Sequence, residues 1–250
     1  MDITKLPVDL RKLIDGYTFT KDEVGMSGAD IYRLDKGDVT LYLKVTDDCE
    51  IMQWLSDKLP VPEVIYFDGE YLLMTAVDGE MAWDSSTDLL REPIIDTIQA
   101  LADGIKMLWT VDITDCPFSN RLDKKLAEAL YNVEHDEVNP DAFDDSNIGR
   151  TPEEIYEELI RNRPSTDELT FTHGDYCPEN IFVRGDKMSG LIDFDRTGIA
   201  DKWQDIGLCV RSIRYHTDDE DYYIARFFEY LGIEPDWKKI EYYILLDELY

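Results

Sequence analysis

"FTHGDYCPENIFVRGDKMSGLIDFD", residues 171–195, decides how this chain is read. Its apolar segments "IFV" and "LID" flank "RGDKMSG", the pattern of two short strands joined by a tight turn. Three polar residues stand just outside strand segments: Asp175, Asn180 and Asp193. Asp175 follows a strand and Gly174, so its side chain projects from a loop. Asn180 opens the hairpin and Asp193 follows its return strand, so the turn brings them together although thirteen residues separate them.

That spacing matches one kind of chemistry. Transfer of a phosphoryl group from a nucleotide asks little covalent work of a protein but exact placement of charge. One carboxylate must orient the acceptor hydroxyl. Hard oxygen donors must hold Mg²⁺ against the phosphates. Asp175 serves as the first, and Asn180 with Asp193 as the second. The order is that of the protein-kinase catalytic loop and metal motif, H-x-D-x-x-x-x-N followed by Asp after a strand. Here Gly174 stands where protein kinases carry Arg, and Phe194-Asp195 stands where Phe-Gly would follow the metal Asp. A loop of solvated acids without a role accounts for neither the spacing nor the paired strands.

Upstream of this stretch the pattern is β-rich. Strands are expected over Ala29–Leu34 and Val39–Val45 around the turn "DKGD", and two more around Asp68-Gly69. Between them "DDCEIMQWLSDKL" forms a short helix, with Ile51, Trp54, Leu55 and Leu59 at helical spacing. Lys44 ends the strand "TLYLK", one hairpin after "GMSG", whose Ser27 and two glycines offer a turn able to aim N–H groups at phosphate. Beyond about residue 78 helices take over. Leu89, Leu90, Ile94, Ile98, Leu101, Ile105 and Leu108 form one apolar stripe, and Leu122, Leu126, Leu130 and Val133 another. Thr151-Pro152-Glu153-Glu154 is a helix start, and "ADKWQDIGLCVRSIRYH" and "PDWKKIEYYILLDELY" supply further helices. The expected class is α+β: a bilobal, protein-kinase-like fold with a small antiparallel β lobe over 1–77 and a larger, mainly helical lobe over 78–250. The first binds nucleotide; the second carries the catalytic residues and the acceptor.

Composition narrows the partners. The 250 residues hold 55 Asp plus Glu against 25 Lys plus Arg, a net charge of −30. Nucleic acid and anionic membranes are excluded as partners, since both need basic surface. Solubility or salt adaptation is the ordinary explanation of such a charge. The sharper one is attraction of a polycationic ligand. No apolar run reaches the roughly 18 residues of a membrane span, and "MDITKLPVDLRKLIDGY" has no signal-peptide core, so the default location is the cytoplasm. Cys49, Cys116, Cys177 and Cys209 are scattered without CxxC spacing, which argues against zinc and disulfides. Cys177 lies near His173, but nothing completes a thiol-protease arrangement. The expected assembly is a monomer or weak homodimer.

The chain resembles the aminoglycoside 3′-phosphotransferases, the kanamycin and neomycin kinases, and particularly the type from Gram-positive cocci. The resemblance runs through "GMS", "LYLK", "WLSDKLPVP", "LLM", "DITDCPF", "THGDYCPENIFV", "SGLIDFDRTGIADKWQDIGLCVRSIR" and "PDWKKIEYYILLDELY", nearly the whole chain. It implies ATP with Mg²⁺ as cofactors and phosphorylation of a sugar hydroxyl on an aminoglycoside, conferring resistance. It makes Asp175 the catalytic acid/base, Asn180 and Asp193 the magnesium ligands, and Lys44 the phosphate contact. Ser27 would lie in the phosphate-covering loop, Tyr42 would stack on adenine, and Thr75 and Val77 would offer backbone groups to it. The antibiotic-binding set falls on Asp141, Asp144, Arg196, Asp247, Glu248 and the terminal carboxylate of Tyr250. Two departures stand out. The segment between Lys44 and the helix is shortened, so that counting back from Trp54 points to Asp48 as the lysine's partner, with Glu50 two residues further on. An acidic position after "VRSIR" in close relatives is Tyr215 here. The competing readings are a kinase for another small cationic alcohol, such as choline, and a nucleotide-binding pseudokinase.

Overall fold

Alternation of side chains builds the first sheet. A computed structural model of the chain describes residues 3–21 and 30–250. In it, Val8–Leu13 forms helix α1, followed by strands β1 (Thr18–Lys21), β2 (Ile31–Lys36) and β3 (Val39–Val45). Helix α2 (Glu50–Leu55) then leads to β4 (Val64–Phe67) and β5 (Tyr71–Thr75). The five strands are antiparallel in the order β1-β2-β3-β5-β4. In β3, Leu41 and Leu43 are buried, which by the two-residue period turns Tyr42 and Lys44 to the opposite face. Leu41 and Leu43 pack with Leu34, Leu73, and Leu6, Leu10 and Ile14 from the region of α1. Burial of each such side chain contributes about 1.5–3 kcal/mol. The expected strand Ala29–Leu34 is found as β2 beginning at Ile31, with Ala29 outside the described residues. Helix α1 and β1 were not foreseen, because charged residues interrupt their short apolar patterns.

By its contacts the chain divides into two units: Met1–Asp78 with Gly190–Ile192, and Gly79–Ser189 with Asp193–Tyr250. The second begins with three two-residue strands, β6 (Glu80–Met81), β7 (Trp83–Asp84) and β8 (Leu89–Leu90). Helices α3 (Ile94–Trp109), α4 (Leu122–Glu134) and α5 (Pro152–Arg161) follow. Then come β9 (Leu169–Thr172), the hairpin β10 (Ile181–Arg184) and β11 (Lys187–Leu191), and β12 (Gly198–Asp201). Helices α6 (Trp203–Tyr215), α7 (Glu220–Leu231) and α8 (Trp237–Asp247) complete it. β10 lies between β11 and β6, while β9 and β12 form their own antiparallel pair.

One expectation is revised, one holds, and one helix is added. Leu89 and Leu90 do not extend the α3 stripe; they pair with Trp83 and Asp84, and α3 starts after Pro93. A residue before proline is driven towards extended backbone, so Glu92 cannot continue a helix into Ile94. The α5 start carries the full capping box: Thr151 Oγ1 accepts from Glu154 N, and the Glu154 carboxylate accepts from Thr151 N. Helix α7 was not foreseen, although Asp219 caps it, Gly232 ends it with a left-handed φ of 73°, and Ile224, Phe227, Phe228 and Leu231 bury one face. Among the described residues no helix is long and apolar enough to cross a membrane.

Candidate active site

The loop after β9 is held before it can do anything. Asp205, in the first turn of α6, is 2% exposed and accepts the backbone N–H groups of His173 and Gly174, each at 2.8 Å. Thr197 Oγ1 donates to His173 O at 2.7 Å, and Gln204 Nε2 donates to Gly174 O at 3.0 Å. Gly174 has a φ of 88°, and a Cβ there would run into the carbonyl of Arg196, so only glycine fits. His173 is fully buried against Phe194 and Tyr176, and Tyr176 OH donates to Leu101 O at 2.8 Å. The rigid platform ends at Asp175.

At Asp175 both carboxylate oxygens have a donor. Cys177 Sγ lies 3.0 Å from Oδ1, and Asn180 Nδ2 donates to Oδ2 at 3.0 Å and to Asp175 O at 3.1 Å. Burial pushes the Asp175 carboxyl up, but the Cys177 thiol, the neighbouring His173 and Arg196, and the Asn180 amide together hold it below the usual aspartate value. It is a carboxylate at neutral pH. Asn180 immediately precedes β10 and Asp193 lies two residues beyond β11, so the hairpin sets them at its same end. Asp193 has a φ of 63°, the left-handed region that a short polar side chain tolerates. Among the described residues no group of three or more His, Cys, Asp or Glu is placed to hold a metal ion by itself. With its nitrogen turned to Asp175, the Asn180 amide keeps its oxygen for other use. An amide oxygen and one carboxylate are hard donors of the kind Mg²⁺ takes.

Of the acidic residues expected to receive an acceptor, Asp144, Asp247 and Glu248 meet at the end of α8, and they are not all free. Glu248 is 8% exposed, and its carboxylate accepts from Asp144 N at 3.1 and 3.2 Å and from Asn147 Nδ2 at 2.7 Å. It therefore fastens the loop 139–150 to α8. Asp247 faces two guanidinium groups, Arg196 at 3.3 Å and Arg211 at 2.7 Å. Tyr250 OH donates to Lys125 O at 2.7 Å, and the Lys125 ammonium and Arg196 guanidinium lie 4.6 and 4.9 Å from its ring centre. Burial lowers the Lys125 ammonium to about 8. Asp141 is exposed in a short 3₁₀ turn, Pro140–Ala142, whose start is capped by Asn139. Tyr215 ends α6, and burial followed by the neighbouring Asp144 carboxylate pushes its hydroxyl up to about 12.

The described residues expected to meet a nucleotide belong to the first unit. Tyr42 and Lys44 share one face of β3, and Lys44 pairs in register with Ile31 and Leu72. Asp48 Oδ1 accepts Glu50 N at 2.7 Å, so this carboxylate helps start α2. Thr75 spends both its N–H and its hydroxyl on Glu63, at 3.0 and 2.9 Å. Val77 packs where a Cβ on Gly190 would stand. Ser27 lies outside the described residues.

Sequence reasoning missed the residues that act through others: Asp205, Arg211, Asn147, Lys125 and the Cys177 thiol. For Asp205 a signal existed, an acid in the first turn of a helix whose neighbours Ile206, Leu208, Cys209 and Val210 are all buried. Cys177 is no nucleophile, because burial and the Asp175 charge push its thiol well above the usual range.

The chain has counterparts. A profile of the "Phosphotransferase enzyme family" matches residues 33–243. A relative from Enterococcus faecalis, named aminoglycoside 3′-phosphotransferase, is 41% identical over 264 aligned positions, covering 98% of this chain and 98% of its own. A relative of the same name from Staphylococcus aureus is likewise 41% identical with the same coverage. The crystal structure of an aminoglycoside-3′-phosphotransferase of type VIII superposes with a TM-score of 0.82 at 29% identity, covering 97% of both chains.

Proposed function

The chain belongs to the phosphotransferase enzyme family, within it to the aminoglycoside 3′-phosphotransferases, and from that premise we propose that it moves the γ-phosphoryl group of ATP onto the 3′-hydroxyl of an aminoglycoside. The observation that carries the reading is the Asp175–Asn180 pair, 3.0 Å apart on a loop pinned by Asp205.

In this reading Asp175 accepts a hydrogen bond from the 3′-hydroxyl and receives its proton. The sugar oxygen forms its bond to the γ-phosphorus as the bond to the ADP oxygen breaks, in line and with a loose transition state. Asn180 and Asp193 would hold Mg²⁺, which would offset the charge of the phosphates. Lys44 contacts the nucleotide phosphates, Tyr42 stacks on adenine, and Thr75 and Val77 lie beside it. Placement replaces the cost of bringing acceptor and donor together by collision.

Ammonium groups of the acceptor meet Asp141, Asp144 and Asp247. Arg196 and Glu248 hold that set in place rather than bind amines. An exposed ion pair contributes about 0–1 kcal/mol, so several must act together, which a chain of net charge −30 supports. With Asp247 already paired to Arg196 and Arg211, an incoming amine has to share that carboxylate with them.

A coupled ADP-release assay tests the reading. Kanamycin and neomycin stimulate ADP release, whereas tobramycin, which lacks the 3′-hydroxyl, and choline do not. Turnover of tobramycin at the kanamycin rate would move the chemistry to another hydroxyl; turnover of choline alone would replace the substrate class. A second prediction concerns the nucleotide. Lys44→Met raises the KM for ATP about 10- to 100-fold, the value of a hydrogen bond to a charged group, and leaves the KM for kanamycin within about twofold. An equal rise in both constants would remove Lys44 from the nucleotide set.

A further inference from the structure

We propose that Cys177 is a positioning residue for the phosphoryl transfer, its thiol fixing the catalytic carboxylate of Asp175 in one orientation. This rests on the reading of Asp175 as the group that orients the acceptor hydroxyl.

A carboxylate on a single methylene turns about two bonds. Two donors on two different oxygens stop both rotations. Cys177 Sγ takes Oδ1 at 3.0 Å and Asn180 Nδ2 takes Oδ2 at 3.0 Å. The donors are themselves tied to the loop backbone. Cys177 N donates to Asp175 O at 2.9 Å, and Asn180 N donates to Cys177 O at 3.0 Å. Each carboxylate oxygen has a second lone pair, so the clamp leaves an acceptor direction open for the hydroxyl.

The choice of sulfur has a chemical meaning. A thiol is a weak donor, so it sets direction while withdrawing little electron density from a carboxylate that must later take a proton. The proton stays on sulfur: burial and the adjacent carboxylate both disfavour the thiolate, so the group remains a donor. The sulfur also lies within the electrostatic reach of Asp247 and Arg211, which connects the catalytic carboxylate to the acids proposed to hold the acceptor.

The test compares Cys177→Ala and Cys177→Ser in steady-state phosphorylation of kanamycin with ATP. The alanine variant loses about tenfold in kcat, the value of one hydrogen bond, with both KM values within about twofold of wild type. The serine variant, which restores a donor, returns kcat to within about threefold of wild type. Wild-type kcat in the alanine variant, a loss confined to KM, or a serine variant as impaired as alanine each overturns the proposal. A second measurement is independent of turnover. Iodoacetamide labelling of the Cys177 peptide, followed by mass spectrometry at one pH, runs faster in Asp175→Asn by about tenfold or more, because the charged acceptor that holds the thiol proton has gone. An unchanged labelling rate overturns the hydrogen bond itself. If wild-type enzyme fails to phosphorylate kanamycin, the functional reading fails, and the labelling comparison still decides the Cys177–Asp175 contact.

Discussion

Asp175→Ala is expected to lower kcat for kanamycin phosphorylation by about 10²–10⁴-fold, the range for a positioned general base. Its folding midpoint stays close to wild type. The reason is local. Asp175 takes the Cys177 thiol and the Asn180 amide as donors; the thiol is a weak donor, and the amide keeps its second acceptor, the Asp175 carbonyl, in the variant. The main-chain anchors of the loop at His173 and Gly174 are untouched by the substitution. The KM for ATP should therefore hold within about threefold, and the loss should appear in kcat, as for an interaction made chiefly in the transition state. Steady-state kinetics with urea unfolding of the same preparation check both halves. Retention of more than a few per cent of the wild-type kcat would show that Asp175 is not the group receiving the proton.

Much of this site is legible in the sequence because hairpins convert linear spacing into proximity. "IFV", a turn and "LID" can fold back in one way, so Asn180 and Asp193 reach the same end of β10 and β11. The two-residue period of "TLYLK" likewise puts Tyr42 and Lys44 on one face once Leu41 and Leu43 are buried. What spacing does not reveal is which acids are already spent. Asp247 and Glu248 read alike as acids at the end of a chain. One is shared between two guanidinium groups, and the other is consumed by Asp144 N and Asn147 Nδ2. Those partners come from the segment before β12, from α6 and from loop 139–150, far away in sequence, and no local pattern points to them. Leu89 and Leu90 were drawn into a helix by their periodicity, and Pro93 overruled it.

Asp205→Ala is expected to remove activity and stability together. The carboxylate is 2% exposed and accepts the His173 and Gly174 N–H groups. Alanine leaves two buried N–H donors without acceptors, each costing about 1–3 kcal/mol, so the loss is about 2–6 kcal/mol. Burial pushes the Asp205 carboxyl up, so the native state holds its proton to higher pH than the unfolded chain does. The sign follows: the group's contribution to stability falls as pH rises from the usual 3.8 through the raised value. A charge kept ionised against that cost is explained by the loop it holds, since Gly174 must stay at φ 88° beneath the Arg196 carbonyl for Asp175 to project correctly. The variant should lose at least about 100-fold in kcat at a temperature where it is still folded, from misplacement of the base alone. Asp205→Asn keeps one acceptor oxygen but sets an amide donor against the other N–H, and should fall between alanine and wild type in both measurements. Urea unfolding and kinetics on the three proteins decide it. Wild-type stability with lost activity would place Asp205 among the groups that touch the reactants, and lost stability with wild-type kcat in the folded fraction would cut its link to Asp175.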